Sequence, residues 1–593
     1  MPEEISQKWM PITDDIVTKW SRYVDPANTL PDYPRPQLKR EAWLNINGLW
    51  NYSIKPKNES KPEKYEGRIL VPFAVESALS GVKKKLKPNQ KLWYQRNFEL
   101  PEAWRGQDIL LHFGAVDWET KVWVNNEFIG EHRGGYVPFS FEISKYVKFR
   151  EENEVVISIW DPTDRRKQER GKQVLHPFAV FYTAVSGIWQ TVWIEPVPRT
   201  RIEKIFLMPN IVEEKLSIKF FNIKTKPNDT INAVIRTSDR VISKQESLVG
   251  EEFTIEVPEP KLWNPEKPFL YNLHLSLNRK GEPLDAVSSY FAMREFSYGK
   301  DEKGIPRIML NGKPLFLYGP LDQGYWPDGL YTAPTEEALL FDIQTTKELG
   351  FNMIRKHLKI EPSRWYYHCD RLGMVVLQDM PNGGHEFYGI FGSLIWRGKF
   401  KLRNGRKRKS VKNQFYTELK SMVDNLYNHP SIAVWIPFNE AWGQFETRKV
   451  TDYLRALDNT RLIDSASGWL DKNTGDIVDI HKYPGPAMPK EDSKDRIAIL
   501  GEFGGLGLRV QNHMWKKRFH WSYKEYPNQE ELWSEYKRIV EATQELITQG
   551  LSAAVYTQTT DVEGEINGLL TYDREILKFD KDKISNLNRT LRL

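Results

Sequence analysis

From about Gly304 onward the chain alternates short apolar runs with amphipathic helical segments such as TEEALLFDIQTTKELG and NQEELWSEYKRIVEATQELITQG. That alternation is the signature of a parallel sheet built from βα units. Eight apolar runs can be counted: PLFLYGP, FNMIRKH, GMVVLQDM, IAVWIPFNE, LIDSASG, DIVDIHKYP, AILGEFGG and SAAVYTQTTD. Eight such units within about 290 residues predict a closed (β/α)8 TIM barrel. Active sites in that architecture lie at the C-terminal ends of the strands, so a polar residue that closes a strand is read as chemistry before scaffold.

A chain of 593 residues exceeds what one hydrophobic core supports, so further domains are expected ahead of the barrel. Between about residues 40 and 198 the pattern is short alternating strands separated by turn signals: LWNYSI, LWYQRNFEL, DILLHFGAV, TKVWVNNEFIG, EVVISIW and QTVWIEPV. They predict an N-terminal jelly-roll β-sandwich, with Asn125-Asn126 as a hairpin turn. KIFLMPNI, LSIKFFNIKT, INAVIRTS, EEFTIEVP and FLYNLHLSLN are spaced as in an immunoglobulin-like β-sandwich. The expected multidomain β plus α/β organisation is a jelly roll over residues 1–199, an immunoglobulin-like sandwich over 200–298 and a catalytic barrel over 299–593.

Several classes are excluded by composition. No run approaches the 18 or so apolar positions of a membrane span. The single cysteine, Cys369 in WYYHCDRLG, rules out an intramolecular disulfide and reads as a buried helical thiol. A net charge of +6 is too small for this length to imply nucleic acid. The start, MPEEISQKWMPITDD, lacks a basic and apolar leader, so either the protein stays inside the cell or a signal precedes this numbering. Aromatic residues reach 13%, with 21 tryptophans, and flat indole faces stack well on sugar C–H faces.

Two barrel strands end in carboxylates. The fourth runs from Ile432 to Phe438 and closes in Asn439-Glu440, and the seventh runs Ala498-Ile499-Leu500-Gly501 and closes in Glu502. Glycoside hydrolysis needs one carboxyl to protonate the leaving oxygen and a second to attack the anomeric carbon, about 5–5.5 Å away in retaining enzymes. Strands four and seven lie across a barrel from one another, so the two glutamates can face each other at such a separation.

At this point the chain resembles glycoside hydrolase family 2. The resemblance rests on LNINGLWNY, VPFAVES, GAVDWETKVWVNN, GGYVPFSFEIS and SGIWQTVWIE before the barrel, and on IRKH, IPFNEAWG and GEFGG within it. It implies Glu440 as acid/base, Glu502 as nucleophile and Asn439 as partner of the sugar 2-hydroxyl. It also places Arg355 and His357 beneath and beside the sugar. Glu502 needs donors around it to stay ionised, and Tyr483 of DIHKYPG is the candidate, with His481 of the same run a further substrate-binding candidate. Trp442 and Trp469 follow strands four and five as stacking faces.

The chain departs from family patterns in three places. After strand one it carries Asp322 and Gln323 where many family galactosidases have histidine and acidic residues, so these two are expected to read the sugar differently. After strand eight Glu565 and Asn567 replace the Asn-x-Lys pair of family glucuronidases, which disfavours a uronic acid in the reacting subsite. After strand three Gln378-Asp379-Met380-Pro381 replaces the metal ligands of some galactosidases, so no metal or other cofactor is expected. Residues 397–410, RGKFKLRNGRKRKS, hold eight basic and no acidic positions. With His513 to Trp521 they suggest an anionic, sulfated or uronate-bearing portion of the carbohydrate beyond the reacting sugar.

The expected function is an exo-acting retaining β-glycosidase, galactosidase-like in its sugar. The alternatives are a β-mannosidase, β-glucosaminidase, α-L-arabinosidase or, less favoured, β-glucuronidase, or a silent carbohydrate-binding protein. A homodimer is the default assembly.

Overall fold

In the computed structural model, residues 9–12, 16–384, 406–490 and 495–593 are described. The first sandwich packs a six-stranded antiparallel sheet against a four-stranded one. Its core interleaves Trp50, Tyr94, Leu111, Phe113 and Ile157 from the two sheets. Strand Glu119–Val124 alternates half-buried and buried side chains, as its sequence requires. It joins Glu127–Arg133 through Asn125 and Asn126, both left-handed (φ 50° and 67°), which fits the tight turn that a right-twisted hairpin prefers.

The second sandwich has sheets of three and four strands. Two of its strands, Val241–Leu248 and Glu282–Phe291, escape the sequence pattern for different reasons. The first is a sheet edge with mostly exposed side chains, so no apolar alternation is needed. In the second, a register shift opposite Leu277 and Asn278 breaks the alternation. The next strand, Phe296–Lys300, crosses the boundary expected at 298 and pairs forward with Pro306–Leu310.

All eight predicted barrel strands are present: Leu317–Asp322, Met353–Lys356, Val375–Asp379, Ile432–Ile436, Leu462–Ile463, Ile477–Lys482, Ile497–Gly504 and Leu551–Thr557. They form one parallel sheet in the order 5-4-3-2-1-8-7-6. Strand five is two residues long, and Asp476 bridges the gap to strand six. Its N–H donates to Ile463 O at 2.9 Å, its carboxylate accepts from Ile463 N at 2.8 Å, and its carbonyl accepts from Ile497 N at 2.9 Å. Helix Glu336–Glu348 is capped by Thr335, and Gln529–Gln549 starts at Asn528 and stops at Gly550. Cys369 lies buried in helix Ser363–Leu372. Among the described residues no helix is long and apolar enough to cross a membrane.

The sandwich and the barrel share a core in which Tyr136, Tyr182 and Trp189 meet Tyr325 and Tyr331. Sandwich residues 161–186 make part of the contact at the barrel mouth, where Phe181 meets Trp442, Tyr182 meets Glu565 and Thr183 meets Glu563. A β-carbon on Gly383 (φ +57°) would sit 2.0 Å from Gln168 O, so only glycine admits that approach.

Candidate active site

Glu440 and Glu502 meet at the barrel mouth. One carboxylate oxygen of each, together with a ring nitrogen of His481, lies within a set of atoms no more than 4.8 Å apart. His481 Nδ1 is 2.9 Å from Glu440 Oε1 and 3.6 Å from Glu502 Oε2, while its Nε2 faces Ser467 Oγ at 2.8 Å. Burial pushes the imidazole down, but Glu502, Asp479 and Glu440 outweigh it and raise its pKa to about 10. His481 is therefore a fixed cation between the two carboxylates.

The Glu440 backbone is held in an uncommon shape. Glu440 and Ala441 are consecutive left-handed residues (φ 47° and 62°), fixed by Glu440 N–H donating to Ser467 O at 2.9 Å and Trp442 N–H to Asn439 O at 2.8 Å. Such conformations in non-glycine residues cost on the order of 1–3 kcal/mol each and gather at functional sites. They turn the glutamate inward from the end of its strand. An imidazolium contacts its carboxyl group directly.

Glu502 sits on a charged floor. Arg355, fully buried, donates to Asp379 at 3.0 and 3.1 Å, to Gly501 O at 3.0 Å, to Asn439 Oδ1 at 2.8 Å and to Glu502 Oε1 at 3.4 Å. Tyr483 O–H donates to Glu502 Oε2 at 2.6 Å, the partnership that DIHKYPG suggested. Burial alone would raise the Glu502 carboxyl, but His481 and then Arg355 outweigh it and hold it below its ordinary value. Burial and Glu502 push the Tyr483 hydroxyl well up, so it stays a donor. Because Asn439 Oδ1 accepts from Arg355, its amide nitrogen is left to donate toward a ligand.

His357 Nδ1 lies 2.7 Å from Asp379 Oδ2; because Asp379 already accepts from Arg355 through both oxygens, we assign the imidazole proton to Nδ1, and the buried Nε2 has no partner among the described residues. Burial, then the charge of Lys172, keeps it well below its ordinary value and therefore neutral. Trp442 is half-buried, and one of its faces is filled by Phe181 from the sandwich, with centroids 5.2 Å apart and planes within 7°. Trp469 is half-buried two residues beyond Ser467.

Other expected residues are engaged by the protein itself. Each Asp322 oxygen accepts a bond, from Gly324 N at 2.9 Å and Lys356 Nζ at 2.5 Å, within a buried cluster that includes Lys359 and Glu361. Gln323, Gln558, Asn567 and Glu565 form a chain of hydrogen bonds at 2.9 Å per link, closed by Tyr182 O–H on Glu565 Oε2 at 2.5 Å. Arg406 is fully buried rather than solvated, bound to Glu169 at 3.2 Å and Gly443 O at 2.6 Å; residues 397–405 lie outside the described part.

Three family models match in sequence order: "Glycosyl hydrolases family 2, sugar binding domain" over 71–196, "Glycosyl hydrolases family 2" over 200–294 and "Glycosyl hydrolases family 2, TIM barrel domain" over 304–492. The chain belongs to glycosyl hydrolases family 2. Among family relatives, a β-galactosidase of Thermoanaerobacter pseudethanolicus is 26% identical over 70% of this chain and 54% of its own. A β-glucuronidase of Bacteroides fragilis is 26% identical over 67% of this chain and 56% of its own. The chain thus spans about half the length of these curated relatives. A solved β-D-glucuronidase of Dictyoglomus thermophilum superposes with a TM-score of 0.74 over 94% of this chain and 98% of its own, at 19% identity, a likeness of fold alone.

Within this family 2 chain the residues that sequence reading missed are Lys172, Tyr182 and Tyr523. The first two come from another domain; Tyr523 stacks on Tyr483 with centroids 3.4 Å apart and planes within 4°. A second cluster, His513, Asp573 and Glu575, has cation-compatible spacing, but His513 is already hydrogen-bonded to Asp573 at 2.7 Å.

Proposed function

We propose that this chain is a retaining exo-β-glycosidase that removes a terminal β-linked sugar, galactose or a close relative, from an oligosaccharide whose remainder carries acidic groups. What supports the reading most directly is the pairing of Glu440 with Glu502 across the mouth, within the 4.8 Å set of atoms that includes His481. That is near the roughly 5–5.5 Å of double-displacement enzymes and well short of the about 6.5–9.5 Å that inversion needs for a water.

In the first step a Glu502 oxygen attacks the anomeric carbon as the bond to the leaving oxygen breaks, and Glu440 gives that oxygen its proton. In the second, Glu440 takes a proton from water, the water oxygen attacks the same carbon, and Glu502 is released. Asn439 Nδ2 donates to the 2-hydroxyl as positive charge builds on the ring. The galactose preference draws on the β-galactosidase relative. A uronic acid is disfavoured because Glu565, an acidic residue, stands where family glucuronidases place a cation-bearing pair.

The test is hydrolysis of aryl β-galactoside, glucoside, mannoside, xyloside, glucuronide and hexosaminides, with α-L-arabinosides added. Wild type should turn over one sugar and Glu502→Ala should lose about 10⁴-fold or more in kcat. With azide, Glu502→Ala should form the α-glycosyl azide and Glu440→Ala the β-azide. Interchanged products would reverse the two roles, and azide-insensitive variants with an inverted hydrolysis product would end the double-displacement reading.

A further inference from the structure

Sandwich residues 161–186 carry a cation into the barrel mouth. Lys172 is half-buried, and its ammonium stands 5.7 Å from the ring centre of Tyr182, the residue whose hydroxyl binds Glu565. The backbone there is pinned. Gln173 pairs with Tyr182 in a short parallel ladder, Tyr182 N–H donates to Lys172 O at 3.0 Å, and a β-carbon on Gly171 would lie 2.6 Å from Leu358 O. Residue 172 is thereby set beside the end of barrel strand two, next to His357.

Among the described residues the Lys172 ammonium has neither a hydrogen-bond nor an ion-pair partner. Close by, His357 Nε2 is buried and equally unpartnered. The two lacks are complementary. An ammonium needs an acceptor, and a neutral imidazole whose Nδ1–H is committed to Asp379 offers only a lone pair at Nε2. Leaving the buried His357 Nε2 unpaired is costly, and the half-buried Lys172 ammonium beside it is open to an incoming group, so the pair suits a ligand that meets both needs.

A carboxylate or sulfate meets only one, since it brings no hydrogen for His357 and would lie near the Glu502 carboxylate. A hydroxyl meets both, accepting from Lys172 and donating to His357. Resting on the glycosidase reading above, we infer that Lys172 of the sandwich and His357 of the barrel together read hydroxyl groups on one edge of the reacting sugar. Lys172 is then a specificity residue supplied across a domain boundary, and the reacting sugar is neutral at that edge.

The experiment compares kcat/KM of wild type, Lys172→Met, Lys172→Gln and His357→Leu on the preferred aryl glycoside and its 2-, 3-, 4- and 6-deoxy analogues, with melting curves to show that each variant is folded. Lys172→Met should lose roughly 10- to 100-fold on the parent substrate, the range of one charge-assisted hydrogen bond. The analogue lacking the hydroxyl that Lys172 reads should be slow with wild type and no slower with Lys172→Met, and His357→Leu should show the same insensitivity at that position or its neighbour.

A folded Lys172→Met or Lys172→Gln within twofold of wild type overturns the inference, as does an equal loss on every analogue. Selective loss of aryl β-uronide hydrolysis would make Lys172 an anion reader instead. If wild type neither turns over the panel nor binds galactono-, glucono- or mannono-1,5-lactone by calorimetry, the glycosidase reading fails and takes this inference with it.

Discussion

Glu76, Asp117 and Asp161 in the first sandwich are buried about as deeply as Asp479 and Glu502 in the barrel, at 7%, 4% and 2% exposure against 7% and 5%. Their acidities move in opposite directions. In the sandwich the partners within bonding distance are neutral: Ser186 donates to Glu76 and Asp161, Thr163 to Asp161 and Gln173 to Asp117. Burial dominates there, and it pushes Glu76 up to about 8, Asp117 well above its ordinary value and Asp161 upward. In the barrel burial acts the same way, but His481 and Arg355 outweigh it at both Asp479 and Glu502. A buried carboxyl is neutral by default, and at Asp479 and Glu502 the combined charge of His481 and Arg355 decides otherwise, whereas at Asp379, on the same guanidinium, burial still wins and the pKa stays raised. A nucleophile needs the second environment.

The comparison breaks most severely at Arg355. Arg355→Met leaves Asp379 and Glu502 without their shared guanidinium, making the barrel resemble the sandwich. Removing one partner of a buried pair costs about 3–5 kcal/mol, so the urea midpoint should fall by that equivalent. kcat should drop about 10³-fold or more as Glu502 takes up a proton and Asn439 loses its orientation. A variant of near wild-type stability would mean that the floor is not held by charge.

His481→Gln sharpens the same point through pH. The folded pKa near 10 lies above the ordinary 6.5, so the stabilisation is complete below about pH 6.5 and is lost as pH rises through about 10. The variant should be about 4–5 kcal/mol less stable than wild type at pH 6 and equal to it above pH 10. The lower limb of its kcat/KM profile should move to higher pH, because Glu502 has lost the charge that most strongly keeps it ionised. A stability gap independent of pH would show that His481 acts by packing alone.

Glu76→Gln tests the sandwich side with the opposite expectation, a gain. Wild type keeps a proton on Glu76 that the unfolded chain releases near pH 4.5, so it loses stability as pH rises toward about 8. The amide carries no such penalty. The two proteins should unfold alike at pH 4.5, with the variant about 4 kcal/mol more stable at pH 8. Loss of stability at pH 8 would mean that Glu76 is ionised and paired after all.

What could be read in the sequence was whatever a single element carries. The eight barrel strands announce themselves by local apolar runs, and Glu440, Glu502 and Tyr483 stand at strand ends where position alone marks them. Contacts made between distant segments leave no such trace. Arg406 sits in a basic run that reads as facing an anionic substrate, yet Glu169, far away in sequence, draws it into the interior. Trp442 reads as an open stacking face, yet Phe181 covers one side of it. Lys172 has no periodicity or motif around it and becomes visible only once residues 161–186 lie against the barrel. The second sandwich shows the same limit in a milder form, since edge strand Val241–Leu248 lacks the alternation that only burial imposes.

The smallest effect is expected where the two regions touch. Tyr182 O–H donates to Glu565 Oε2 at 2.5 Å, and Glu565 Oε1 accepts from Asn567 at 2.9 Å, so this bond ties the sandwich to the hydrogen-bonded chain that runs on to Gln323. Tyr182→Phe deletes the bond and keeps the ring that packs edge-on against Tyr325 at 5.0 Å and underlies Lys172. The stability cost should be about 1.5–3 kcal/mol, the worth of a hydrogen bond to a charged acceptor. Because the platform for Lys172 persists, kcat should change less than KM. A fall in kcat as large as that of Arg355→Met would place Glu565 in the chemical step. Unchanged stability and unchanged KM would mean that the sandwich touches the barrel mouth without helping to shape it.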